Sequence, residues 1–147
     1  MVQKHITMVL RLIAQVYAKN GSITKLKQQE EITKGNYYQK NGKDFLIYDA
    51  LEGEELIHTT VKIEKDQVEI TKSGTSSRVH MRFKEGEKFS TTYDTAAGAL
   101  AMEFDTTELN CCFQEDCIIV EIVYDIYMNG IKINKRKIMI QIEKITK

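Results

Sequence analysis

From Leu56 to Lys65 the chain reads LIHTTVKIEK, with Ile57, Thr59, Val61 and Ile63 on alternate positions. Alternation of this kind sends one side of an extended chain to a core and the other to solvent, which predicts a half-buried strand. The same period recurs along nearly the whole sequence. Gln3–Tyr17 places Ile6, Met8, Leu10 and Leu12 on one side, and the more polar run Leu26–Gln39 ends in Tyr37 and Tyr38. Further strands are predicted over Asp44–Leu51, Gln67–Lys72, Arg78–Phe83, Ile118–Met128 and Ile131–Ile145, and on both sides of Ala96-Ala97-Gly98 within Thr91–Leu109.

Turn signals separate these runs at intervals of about ten residues. They are Ala18–Ser22, Asn41-Gly42, Glu52–Glu55, Lys65-Asp66, Ser73-Gly74, Lys84–Lys88, Asn110–Cys117 and Asn129-Gly130. The two Asn-Gly pairs are the strongest, because both residues tolerate the positive φ of a type I′ hairpin turn. Thr95–Gly98 fits a type I turn followed by a left-handed glycine. No segment has a helical period. The pattern predicts an all-β chain, an antiparallel meander of about eight to ten strands closed into a barrel, since closure removes exposed edges. A two-sheet sandwich is the alternative, although its Greek-key links usually need longer connections.

Composition agrees with a pleated fold. The 147 residues include 18 Ile and 13 Thr but no Pro and no Trp, and β-branched residues suit strands. At 42% hydrophobic and 29% charged, the chain reads as one globular domain over residues 1–147. Lys plus Arg equals Asp plus Glu at 21 each, without the basic excess of a nucleic-acid binder. No apolar run reaches the length of a membrane helix, about 18 residues. Arg11 and the alternation around it argue against a signal-peptide core at the N-terminus. Three cysteines, an odd number, argue against a secreted disulfide framework and for the cytoplasm.

The run Lys72–Asn110 resembles the signature of the YwiB-like family of bacterial lipocalin-like (calycin-like) β-barrels. The positions that carry the resemblance are Ser73-Gly74, Met81, Phe83, Gly86, Tyr93, Thr95, Gly98, Leu100, Met102 and Thr106. The closing Asn129-Gly130 hairpin also fits, and Ala96 stands where the family usually has Pro. The resemblance implies a lipocalin-like barrel. It implies no activity, because the family's own function is unassigned.

Candidate chemistry is sparse. Cys111, Cys112 and Cys117 cluster at a predicted turn, but adjacent cysteines face opposite ways on a strand and zinc sites prefer paired spacing. They read as reduced thiols, one packed as a small hydrophobe. Arg78, His80 and Arg82 form a cationic row that suits either an anion contact or a solvated exterior. Lys132–Lys137 reads as edge protection, with Lys132 and Arg136 on one face and Lys135 and Lys137 on the other. Glu121 and Asp125 share a face of a very apolar strand and either meet solvent or line an interior. No nucleotide-binding glycine motif or nucleophile elbow appears, so neither a cofactor nor an enzyme is expected.

An eight-stranded barrel either fills its interior or holds one small ligand. Two functional expectations follow. One is a barrel binding a small apolar ligand, lined by Val79, Met81, Phe83, Phe89, Tyr93, Leu100, Met102 and Phe104. The other is a filled barrel that meets a protein partner through the Arg78/His80/Arg82 row and an exposed Tyr37-Tyr38 pair. Neither involves nucleic acid or a membrane.

Overall fold

The computed structural model describes the backbone of residues 2–17 and 23–145, and the side chains of residues 36–143. The predicted Ala18–Ser22 turn and the inward face of the first strand lie outside the described residues. Ten strands follow one another: β1 (Val2–Tyr17), β2 (Ile23–Lys40), β3 (Lys43–Glu52), β4 (Glu55–Ile63), β5 (Val68–Ser73), β6 (Arg78–Phe83), β7 (Lys88–Thr95), β8 (Gly98–Phe113), β9 (Cys117–Met128) and β10 (Ile131–Ile145). Each pairs antiparallel with its chain neighbours, and β1 pairs with β10 to close the barrel. The sandwich alternative is excluded by that closure.

Turn chemistry fixes the connections. Asn41-Gly42 and Asn129-Gly130 all carry positive φ, between 50° and 80°, as a type I′ turn requires. At Thr95–Gly98 neither alanine has positive φ, and Gly98 stands at 125°. The Thr95 hydroxyl accepts from the Ala97 N–H at 3.2 Å and donates to the Gly98 carbonyl at 2.7 Å. One predicted turn is shorter than expected. Cys111 and Cys112 lie on β8, and the chain reverses only at residues 114–116, where the Gln114 N–H donates to the Cys117 carbonyl. Leu109 and Cys111 continue the apolar side of β8 and pack against the core, which carries the strand past Asn110.

Two bulges flank β9. Thr107 is the extra residue where the register with β8 shifts, and Ile133 is the extra residue where the register with β10 shifts. An inserted residue reverses which alternate side chains face inward. Met102, Phe104 and Thr106 point inward before the first bulge, and Leu109 and Cys111 after it. On β10 the same reversal corrects the sequence reading. Lys132 pairs with Tyr127 on the outer face, whereas Arg136 pairs with Tyr124 on the inner one. Lys132 and Arg136 therefore face opposite ways, although an unbroken alternation places them together.

Up-and-down connectivity sorts the turns. The β3–β4, β5–β6, β7–β8 and β9–β10 turns gather at one end of the barrel, and the β2–β3, β4–β5, β6–β7 and β8–β9 turns at the other. Toward the second end the interior is packed, with Ile63, Val68, Val120, Ile122 and Ile142 no more than 2% exposed. Phe83, Phe104 and Tyr124 cap this packed half as a triangle, with ring centroids 5.0–5.7 Å apart in tilted and edge-to-face contacts. Aromatic rings prefer such geometries to a face-to-face sandwich.

The weak point of the wall is between β6 and β7, which share one ladder pair, Arg78 with Asp94. Side chains bridge where the ladder stops. The Phe89 ring meets His80 edge-on at 5.7 Å and lies under the Arg82 guanidinium at 5.1 Å. The β6–β7 turn is tied instead to the bulged part of β8, by Gly86 N–H to the Thr106 carbonyl and Thr106 N–H to the Glu87 carbonyl.

The Tyr37-Tyr38 pair is not an exposed feature. Tyr37 is 7% exposed and donates its hydroxyl to Asp44 Oδ1 at 2.5 Å, while Gln39 Nε2 donates to the same oxygen at 2.9 Å. Tyr38 is half-buried and stacks on Phe45, with centroids 4.8 Å apart. Alternation sends Tyr37 inward, and the buried Asp44 carboxylate needs its hydroxyl as a donor. Burial first, then the Asp44 hydrogen bond and charge, push the Tyr37 phenol well above its ordinary value.

Three substitutions test this architecture. Gly98→Ala is expected to destabilise by about 1 kcal/mol, because a side chain is strained at positive φ. Ala96→Pro is expected to stabilise by about 0.4–1 kcal/mol through the unfolded chain; urea melts of both variants measure the two signs. Tyr37→Phe is expected to cost about 1–3 kcal/mol by leaving a buried acceptor short of a donor. The raised phenol pKa adds a pH signature. Below pH about 10 both the folded and unfolded phenol hold the proton. Above it the unfolded chain releases the proton while the folded one keeps it, so stability falls as pH rises. Denaturation from pH 8 to 11 is expected to show a shallower alkaline decline in Tyr37→Phe than in the parent protein.

Candidate functional site

Above the aromatic triangle the barrel is hollow. A cavity of about 460 Å³ opens toward the end that carries the β3–β4 and β5–β6 turns. This lies within the range of small-molecule sites, roughly 300–1,000 Å³. Its floor is Phe83, Phe104 and Tyr124, and its wall is largely aliphatic, with Leu46, Ile57, Val61, Ile70, Val79, Ile126, Ile138 and Ile140. Each wall residue is there because alternation turns it inward.

Six of the eight predicted lining residues meet this space: Val79, Met81, Phe83, Tyr93, Met102 and Phe104. Phe89 and Leu100 do not. Phe89 is drawn to the β6–β7 seam by His80 and Arg82, and Leu100 stands at the rim, 37% exposed. The β3, β4, β9 and β10 contributions were not anticipated, although their alternation was visible. Choosing among them needs the barrel's closure and the two bulges.

The predicted cationic row separates. Arg78 lines the cavity near its mouth. His80 shares a hydrogen bond with Thr71 Oγ1 at 2.8 Å and lies 3.9 Å from Glu69. Arg82 lies over Phe89 and 4.0 Å from Glu87. The two are occupied on the outer face and do not form one anion site with Arg78.

The mouth is polar. Lys72 Nζ meets Glu52 Oε1 at 3.3 Å. Glu55 accepts from the Ser76 N–H at 2.9 Å and from the hydroxyls of Thr75, Ser76 and Ser77 at 3.3–3.4 Å. The Ser76 N–H, helped by those hydroxyls, holds the Glu55 carboxyl below its ordinary value. Gly74 makes this clamp fit: a Cβ there would stand 2.2 Å from Glu55 Oε1 and 2.8 Å from Ile57 Cδ1.

Deeper in, Arg136 joins the lining beside Tyr124. Its Nε donates to Asn134 Oδ1 at 3.1 Å. Burial raises the Tyr124 phenol above its ordinary value, and the neighbouring Arg136 charge and hydrogen bonding draw it partly back. The signal for Arg136 was its two-residue spacing from Ile138, Ile140 and Ile142, read backwards from the end of β10.

The carboxylates Glu121 and Asp125 face away from the cavity. Asp125 is nevertheless buried, 3.5 Å from Lys132 Nζ, with its Oδ1 lacking a hydrogen-bond donor. Cys111 is half-buried, and burial, aided by the Asp66 charge, raises its thiol. A protonated thiol is a poor nucleophile and metal ligand. Among the described residues no three His, Cys, Asp or Glu side chains converge on a metal position. No helix of the described residues is long and apolar enough to cross a membrane.

Comparison with known proteins supports the fold. The YwiB protein from Bacillus subtilis, known from a crystal structure, is similar at a TM-score of 0.80 and 23% sequence identity. The match covers 98% of this chain and 96% of that one. A search of curated proteins finds no match. The pattern of a domain of unknown function, DUF1934, matches residues 15–140. The chain belongs to the DUF1934 family, the YwiB-like proteins, and shares their lipocalin-like barrel.

Proposed function

We propose that the protein is a binding barrel that takes a small, mostly apolar ligand into the open half of its interior. The observation that carries this reading is the cavity itself: about 460 Å³, walled by aliphatic side chains and floored by three aromatic rings. A barrel that worked only through its surface would have no need of that space, since each unfilled volume forfeits packing energy. The half-buried Met81 and buried Met102 suit a wall that adapts to its occupant. Among the described residues the wall carries no nucleophile paired with a base, so the reading is of binding rather than catalysis.

The test is binding of an apolar fluorophore, such as an anilinonaphthalene, to the folded protein. One site is expected, with enhanced, blue-shifted emission. Ile138→Trp, which places a large ring in the wall, is expected to weaken the probe at least tenfold (about 1.4 kcal/mol) while the thermal transition is retained. Equal affinity in the two proteins, or no binding to the parent, would overturn the reading. Native mass spectrometry of the purified protein adds a direct check, because a retained ligand appears as added mass.

A further inference from the structure

We infer that the ligand is an amphipathic acid, whose carboxylate is held by Arg136 beside Tyr124 while its apolar body lies against the aliphatic wall. The inference rests on the binding reading above and adds the chemistry of the occupant.

The charged groups around the cavity differ in what they already hold. Lys72 is neutralised by Glu52, and Glu55 is taken up by the Thr75–Ser77 loop. Arg136 has no carboxylate within ion-pair distance among the described residues; it contacts Asn134 and Tyr124. Yet it is half-buried and sits on the same strand face as Ile138 and Ile140.

A guanidinium on an apolar wall is costly without a counter-charge. Asn134 satisfies one donor through Nε, and a guanidinium has five, of which a planar fork suits two carboxylate oxygens. The Tyr124 hydroxyl supplies a further donor at the cavity floor. Arg78, at the mouth and also without an ion pair among the described residues, offers a second guanidinium along the way in. A cationic ligand would meet these two arginines and find both glutamates engaged. A neutral one would leave Arg136 without a counter-charge among the described residues.

The test compares three probes with one ten-carbon chain: decanoate, decanol and decyltrimethylammonium, measured by titration calorimetry at pH 7.5. Decanoate is expected to bind at least tenfold more tightly than decanol, and the ammonium more weakly than either. Arg136→Met keeps the apolar stem without the guanidinium, and is expected to lower decanoate to the affinity of decanol while leaving decanol within about twofold, under half a kcal/mol. A thermal melt reports whether the variant folds. Independently of the variant, decanoate labelled with carbon-13 at the carboxyl is expected to titrate at lower pH when bound to the parent protein than when free. Equal binding of decanoate and decanol, or a preference that survives Arg136→Met, would overturn the inference and leave the binding barrel standing. Failure of all three probes to bind would overturn both.

Discussion

The contact among Phe83, Phe104 and Tyr124 divides the barrel into two halves with different duties. The three rings come from β6, β8 and β9 and meet across the interior, so Phe83 ties β6 to β8 and β9, two strands that the backbone ladder does not join to it directly. Below them Val68, Val120 and Ile122 are fully buried and the core is continuous. Above them there is space. A barrel of this girth has enough interior for side chains or for a ligand, and here the aromatic layer is the boundary between those solutions. The choice between a full and a hollow barrel therefore has a spatial answer: packed below the rings, open above.

Most of the architecture was legible as period two. The alternation in β4, β5, β6 and β9 appears directly in their burial, strand by strand. The Asn-Gly turns were equally readable, because positive φ at a non-glycine residue selects asparagine. Two of the readings that failed share a cause. Arg136 was grouped with Lys132, and the cysteines with a turn, because neither bulge has a local sequence signature. Thr107 and Ile133 are ordinary strand residues, and what makes them bulges is register against β9. A one-residue slip reverses a whole strand face, so an unseen bulge hides the side chain that matters most. Tyr37 was misread for a different reason: its partner Asp44 lies across the hairpin, and a tyrosine pair looks the same in sequence whether exposed or buried.

The open half also uses other means to hold its shape. Where the packed half relies on apolar contact, the mouth relies on polar ties. Glu55 gathers the Thr75–Ser77 loop, Glu52 meets Lys72, and Asp49 meets His58. Such ties at an exposed position are individually weak. Their value is local: they hold the β3–β4 and β5–β6 turns together without putting side chains into the space between them. Gly74 serves the same end, since a methyl group there would displace the Glu55 carboxylate from its donors.

That arrangement has a consequence for how the cavity is reached. Segments with few buried apolar contacts and exposed hydrogen bonds open at low cost, and the most buried segments open at the cost of global unfolding. The mouth is the first kind, and the strands around the aromatic triangle are the second. Leu51 and Leu56 flank the β3–β4 turn, Leu100 lies just beyond the β7–β8 turn, and Ile131 begins β10, so these exposed apolar residues belong to the same end as the opening. Under the proposed reading an apolar ligand would find these side chains at the mouth, beside polar ties that involve none of the buried core. The packed half is thus the support that lets the other half keep its space.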